Sequence, residues 1–352
     1  MKRLFWVLVA SVLSMSVWDS WVRATGPEYI GIDFVQFHFT GSHAACEGDP
    51  RVWTAEVRSA ILRSSWQRAA TSCGTRLFDA VEYRQERVWE TYSSPLLYSA
   101  FAMIAGKCPA DDSVAEEFSH AERYEHALKL YHAISIGFTL IGIVSFGSIL
   151  KIPKSAMLLG AFVLLAYTPI RIDLNVGNVN QIQFGMVGVL AWLLRDRSGS
   201  THDAGPGEIG KHPFRNRDRL FERHAAAGIW LGLCLAFKPS LLWCGVVWFG
   251  LMIVRLIQES FGSKTRHGQE PGRQIDIPGS VRKPARTAII AASLGGLFGG
   301  HLAITISAIW FPPESWLDWI AAVRSMPDVG IATDIGNFSA TYYGQHTLGL
   351  PT

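Results

Sequence analysis

The sequence has few charged residues and lacks the common catalytic and nucleotide-binding motifs. Charged side chains make up 17% of the 352 residues, against about 25% in soluble domains. The net charge of +3 is close to neutral and its basic residues are scattered, so nothing indicates nucleic-acid binding. Walker A, Gly-x-Ser-x-Gly, His-Glu-x-x-His and clustered metal-ligand patterns are missing. The sequence therefore predicts no metal, no cofactor and no nucleic-acid partner.

Cysteine is scarce, and the five cysteines form neither a Cys-x-x-Cys pair nor a metal-ligand spacing. Cys234 and Cys244 lie in apolar runs, where cysteine packs as a small hydrophobic residue. Cys46, Cys73 and Cys108 lie in polar stretches that we place outside the membrane. These three allow one disulfide, and the sequence leaves its pairing open.

Apolar residues are abundant and occur in blocks of helix length. They make up 49% of the chain, and a helix needs about 20 residues to cross a bilayer. These blocks predict an all-α integral membrane protein, a single multi-spanning domain over residues 1–352. The predicted spans are 4–22, 128–150, 155–170, 176–194, 225–237, 241–257 and 287–310. The first block also fits a cleaved signal peptide, but the many later spans favour a retained helix.

Basic residues in the short connecting segments predict the orientation. Segments 1–3, 151–154, 195–224 and 258–286 belong in the cytoplasm, together with the N-terminus. Residues 23–127 then form an enlarged first extracytoplasmic loop. Within that loop, residues 55–68 predict an amphipathic surface helix. Residues 96–106 are apolar but too short to span, which predicts a re-entrant or interfacial segment.

This orientation places the unusual polar residues on the outer face. Asp33 lies just beyond the first helix, among the aromatic residues of the segment Gly31–Phe39, which also contains His38. A partly desolvated carboxylate has a raised pKa and is a better general base. The alternative is a solvated loop aspartate that caps a turn. His38 is a candidate substrate-binding residue in the same segment.

Two further polar groups lie beside apolar runs on the same face. Amides and charges cluster where one predicted span begins, at Arg171, Asp173, Asn178, Asn180 and Gln181. They fit either a pocket wall for a hydroxyl-rich substrate or helix capping with interhelical amide bonds. Lys238-Pro239 interrupts another apolar run. This lysine either binds an anion beside the following helix N-terminus or extends its ammonium group to the membrane surface.

Several segments, in order, resemble DUF2029, or glycosyltransferase family 87, a group of membrane proteins that includes GT-C-class mannosyltransferases using polyprenyl-phosphate-mannose. The similar segments are Asp33-Phe34 with the following aromatics, Gly48-Asp49-Pro50, Tyr92-Ser93-Ser94-Pro95-Leu96, Asn175–Asn180, Gly232–Pro239 and Gly336-Asn337-Phe338-Ser339. Ser94-Pro95 and Gly177-Asn178 stand where the family usually has Pro-Pro and Gly-Gln. Residues 51–90 resemble an insertion, and the chain is shorter than most members, which predicts missing C-terminal helices and leaves activity open.

The resemblance implies a GT-C-like helical bundle in the bacterial plasma membrane that transfers mannose or another hexose to an acceptor hydroxyl. Asp33 would be the catalytic base, and Lys238 and Arg171 would stabilise the departing polyprenyl phosphate. The expected partners are membrane lipid, a lipid-linked sugar donor, and an acceptor whose class stays open. Two alternatives remain. Polar intramembrane residues and a broken helix also occur in transporters and channels, and the large outer region also fits an assembly protein.

Overall fold

A computed structural model describes residues 31–71, 73–85, 93–105, 120–166, 173–174, 176–195, 213–265 and 284–324, with single positions elsewhere. These residues form helices and no strands. In chain order the helices are α1 (Ile32–Cys46), α2 (Ala55–Ala70), α3 (Arg76–Gln85), α4 (Pro95–Ala105), α5 (His120–Ile149), α6 (Lys154–Ala166), α7 (Asn180–Leu194), α8 (Pro213–Phe237), a 3-10 turn (Pro239–Leu241), α9 (Leu242–Thr265), α10 (Pro284–Ser307) and α11 (Glu314–Arg324). The all-helical prediction is confirmed for these residues.

Two of the described helices, His120–Ile149 and the Arg286–Ser307 part of α10, are long and apolar enough to cross a membrane. Both coincide with predicted spans. The described helix near the predicted span 155–170 has only 13 residues, and α7 has 15. Helices of that length fall short of the roughly 20 residues that a bilayer requires.

The region 23–127, predicted to lie outside the membrane, contains helices α1 to α4 and the start of α5 among its described residues. Two of these helices start at a hydroxyl side chain that caps them. The Thr54 side chain caps α2 by accepting a hydrogen bond from Val57 N at 3.3 Å, and Ser94 does the same for α4 with Leu97 N at 3.2 Å. Hydroxyl side chains at this position satisfy backbone N–H groups that have no partner within the helix. The surface helix predicted at 55–68 is confirmed as α2.

The exposed apolar side chains divide the described helices into two zones. Within α1–α4, Met103 is the one exposed large hydrophobic residue among those described. Helices α5, α6, α9 and α10 expose many, including Val144, Val163, Leu251 and Leu297. Contiguous apolar surface of this kind indicates contact with lipid or another apolar partner. Helix α4 corresponds to the segment at 96–106 that was predicted to be re-entrant or interfacial, and more than half of its residues are buried.

An aromatic core joins α1 to α4 and α5. Phe34 is fully buried, and its ring centroid lies 5.2 Å from that of Tyr131, 5.5 Å from that of Tyr124 and 5.6 Å from that of Phe101. Ring separations of 4.5–7 Å are those of favourable aromatic pairs. This core fixes the start of α1, where Asp33 lies.

Glycines allow α8 and α10 to pack with their backbones in contact. A β-carbon on Gly232 would lie 2.8 Å from Gly300 N, and one on Gly228 would lie 2.9 Å from Gly296 N. Small residues four apart permit such close packing between helices in membranes. The spacing Gly228–Gly232, with Gly295–Gly299 opposite, was a signal for this contact in the sequence.

Candidate polar site at the helix ends

Asp33 lies in the first turn of α1 and is half-buried. Asp33 is therefore a helix residue rather than the solvated loop aspartate of the alternative interpretation. Gly31 precedes the helix with a φ of 71°, a conformation that glycine adopts without strain. Its carbonyl accepts a hydrogen bond from the Tyr124 hydroxyl at 3.2 Å. This bond ties the entry of α1 to α5, and it thereby fixes the position of Asp33.

Residues 173–174 and 176–180 form a short turn just before α7 begins. The Asp173 carbonyl accepts hydrogen bonds from Gly177 N and Asn178 N, both at 3.0 Å. The Asn180 amide donates to both carboxylate oxygens of Asp173 at 3.1 Å. Three of the predicted polar residues therefore lie together. Arg171, a fourth, lies outside the described residues.

Helix α5 holds this turn in place. The Tyr131 hydroxyl donates to the Asn178 carbonyl, and His132 Nε2 bonds the Leu174 carbonyl at 2.9 Å. The backbone carbonyl of Asn178 thus ties the turn to α5. Tyr131 and His132 were not singled out from the sequence, because they lie inside a long apolar helix with nothing to mark them as partners of a distant turn.

Gly177 brings the turn against the residue that follows Asp33. It has a φ of 74°, and a β-carbon at this position would lie 2.5 Å from Phe34 Cβ and 3.0 Å from Phe34 N. Only glycine satisfies both conditions without strain. The contact between Gly177 and Phe34 therefore sets the spacing between the Asp173 turn and the start of α1.

Lys238 occupies the break between α8 and the 3-10 turn. Its backbone is extended, with φ −148° and ψ 114°. Pro239 follows, and proline suits the first position of a helix because it has no N–H to satisfy. The Ser94 hydroxyl donates to the Phe237 carbonyl at 3.0 Å. Ser94 therefore connects the start of α4 to the residue before Lys238.

Asp33, Asp173 and Lys238 interact electrostatically. Burial raises the pKa of the Asp173 carboxyl, while its bond from Asn180 and the charge of Lys238 act in the opposite direction. Burial lowers the pKa of the Lys238 ammonium, which the charges of Asp173 and Asp33 partly offset. The chain thus brings two carboxylates and one cation, separated by 140 and 65 residues along the sequence, into one partly buried polar region.

Gln181 is buried at the start of α7. Its amide nitrogen donates to the Ile170 carbonyl at 3.1 Å, and its Oε1 is buried with no hydrogen-bond partner within the described part of the chain. A buried acceptor without a partner costs about 1–3 kcal/mol. The amide nitrogen of Gln181 therefore helps to hold the turn, while its Oε1 has no donor among the described residues.

His38 belongs to a different environment from Asp33. It is 8% exposed, and burial together with the positive charges of Arg68, Arg123 and His120 lowers its pKa to about 3. Five residues separate His38 from Asp33, which corresponds to about 140° around the helix. The charges that act on His38 are thus those of Arg68, Arg123 and His120, and its role as a substrate-binding residue stays a prediction.

Other features lie apart from the predicted site. A cavity of about 590 Å³ lies between the start of α3 and α5, and its polar lining includes Arg76, Glu122, Glu125, His126 and Lys129. Arg76 and Glu125 form an ion pair there at 3.2 Å.

Cys46 is disulfide-bonded and Cys73 is free, while Cys108 lies outside the described residues. No group of three or more potential metal ligands occurs among the described side chains.

The chain matches no protein-family model, no curated protein and no solved structure. The resemblance to glycosyltransferase family 87 therefore rests on the ordered motifs alone.

Proposed function

We propose that the protein is a multi-spanning membrane glycosyltransferase of GT-C type that transfers mannose or another hexose from a polyprenyl phosphate to an acceptor hydroxyl. The observation that carries this proposal is that the charges of Asp33, Asp173 and Lys238, which are far apart in the sequence, act on one another in the folded chain. Such a site, beside lipid-facing surface, suits a substrate with a polar head and an apolar tail. The disulfide at Cys46 fits an oxidising, extracytoplasmic side.

In the proposed reaction, Asp33 accepts the proton of the acceptor hydroxyl as its oxygen attacks the anomeric carbon of the sugar. The bond between that carbon and the phosphate oxygen breaks, and polyprenyl phosphate leaves with the electron pair. Lys238 stabilises the negative charge that develops on the leaving phosphate, because a cation placed where charge appears lowers the barrier. Asp173 and Asn180 bind sugar hydroxyls, and Arg171 is a second candidate for the phosphate.

The test is transfer from polyprenyl-phospho-mannose by the purified full-length protein, scored as released polyprenyl phosphate. General base catalysis contributes about 10²–10⁴-fold, so Asp33→Asn should lose activity on that scale. Asp79→Asn, at an exposed position of α3, is the matched control and should retain activity. Equal activity in both variants would remove Asp33 as the base.

Lys238→Met tests the leaving-group role separately. Removal of one charge-stabilising group costs about 10²–10³ in rate, and Lys154→Met, at an exposed residue of α6, is its control.

A transporter is the second candidate, favoured by the helix break at Lys238, because broken helices form substrate sites in transporters. Solute uptake by proteoliposomes without any sugar transfer would favour the transporter over the transferase.

A further inference from the structure

Helix α11 carries an exposed apolar stripe beside an acidic one. Leu317 is 70% exposed, and Ile320 and Val323 are exposed as well. Successive residues of a helix are about 100° apart, so the spacing of three places this apolar stripe on one side of α11. Glu314 and Asp318 are exposed on the neighbouring side. The uncovered part of α11 is therefore amphipathic.

The remaining side of α11 packs against the protein and fixes how the helix is rotated. Ser315 and Trp319 are buried. Trp316 Nε1 donates a hydrogen bond to Ser307 Oγ at 3.0 Å, and the Trp316 ring lies edge-on to Trp319 at 5.7 Å. These contacts hold the apolar stripe outward, away from the core.

Apolar surface continues from α10 into α11. Helix α10 contains one of the two described stretches that are long and apolar enough to cross a membrane, and it exposes Leu297 and Phe298. Ile309, in the turn between the two helices, is also exposed. Pro312 and Pro313 follow, and proline does not continue a helix. The stripe on α11 therefore comes directly after the end of a lipid-facing helix.

We propose that α11 lies flat on the membrane surface with its apolar stripe in lipid. Amphipathic helices bind there by burying an apolar side at the headgroup boundary while the polar side stays in water. Tryptophan is enriched at this boundary, and this segment contains Trp310, Trp316 and Trp319. The adjacent carboxylates repel anionic headgroups, so the partner is a neutral bilayer surface. This inference rests on the membrane location assumed in the proposed function, and not on the sugar transfer.

Short contacts tie α11 to the residues around Lys238. Phe311 is fully buried in the turn before α11, and its ring centroid lies 5.5 Å from that of Trp53. Trp53 Nε1 donates to the Ser93 carbonyl at 3.1 Å, and the adjacent Ser94 bonds the residue before Lys238. A helix held at the membrane surface therefore keeps this polar region near the headgroups, where the phosphate of a lipid-linked donor lies.

Nitroxide labels on the full-length protein in phosphatidylcholine nanodiscs test the contact with lipid. The free cysteines among the described residues are first removed by Cys73→Ser, Cys234→Ala and Cys244→Ala. A label is then attached through Leu317→Cys or through Asp318→Cys. Because oxygen dissolves in lipid and a nickel chelate dissolves in water, the ratio of oxygen to nickel accessibility measures lipid contact. This ratio should be severalfold higher for the Leu317 variant than for the Asp318 variant.

Two reference positions separate failure of this inference from failure of the membrane location. Leu297→Cys, at a 73% exposed position of α10, is the lipid reference, and Asp79→Cys, at an exposed position of α3, is the water reference. If the Leu317 label resembles the Asp79 label while the Leu297 label is in lipid, the inference alone is overturned. If the Leu297 label is in water too, the membrane location fails as well.

A Leu317 label that neither reagent reaches would indicate that a protein partner or a second copy of the chain covers the stripe, and this also overturns the inference. Val323→Cys labels the same stripe and replaces Leu317→Cys if size-exclusion elution shows that the latter does not fold.

Discussion

Replacing Gly177 with alanine tests whether the contact between the Asp173 turn and Phe34 organises the site. A non-glycine residue in the left-handed conformation costs about 1–2 kcal/mol. The added methyl group would also meet Phe34 Cβ at 2.5 Å, Phe34 N at 3.0 Å and Phe34 Cα at 3.2 Å. These atoms belong to or adjoin the backbone, so no change of side-chain rotamer relieves the clash. Overpacking of this kind costs about 1–3 kcal/mol, which gives a total of about 2–5 kcal/mol.

Gly74→Ala is the matched control, because Gly74 has a φ of 80° and a β-carbon added there would meet no atom within 4 Å. This variant carries the conformational cost alone, about 1–2 kcal/mol. Denaturant unfolding of both variants in the same detergent measures the difference. If Gly177→Ala destabilises the protein no more than Gly74→Ala does, the packing of the turn against Phe34 is not as described.

Three further results are expected. Gly232→Ala should destabilise the pairing of α8 with α10 by about 1–3 kcal/mol, whereas Gly300→Ala, with nothing within 4 Å, should be near neutral in the same unfolding assay. Ser94→Ala should cost about 1–2 kcal/mol, because it removes the helix cap and the bond to Phe237; unchanged thermal stability would contradict this. The raised pKa of Asp173 means that the folded state binds its proton more tightly than the unfolded state. Stability should therefore fall as the pH rises from the ordinary carboxyl range through the folded-state pKa, and Asp173→Asn should flatten that part of the profile.

Long periodic features were predictable from the sequence, and contacts between distant segments were not. The helices around residues 128–150 and 287–310 follow from uninterrupted apolar runs, and α2 follows from its amphipathic spacing. Helix α1 was missed, because its histidine, glutamine and glycine residues resemble a loop. They are instead buried by tertiary packing, which overrides local preference.

The candidate site was predictable as a set of polar residues but not as a geometry. Asp33, Asp173 and Lys238 stand out because charges beside apolar runs are costly, and in the structure the charges of these three act on one another. The residues that align them, such as Tyr131 and Ser94, act through single hydrogen bonds to backbone carbonyls. A side chain that bonds a carbonyl 47 or 143 positions away leaves no trace in local sequence.

The glycine contact between α8 and α10 has a consequence for the order in which these helices can pack. Helix α8 begins with a charged segment, from Arg215 to Arg223, whereas α10 includes one of the two long apolar stretches. During synthesis, α8 therefore emerges well before the partner that covers its glycines. A chain that ends before Pro284 therefore lacks the helix that packs against Gly228 and Gly232 of α8.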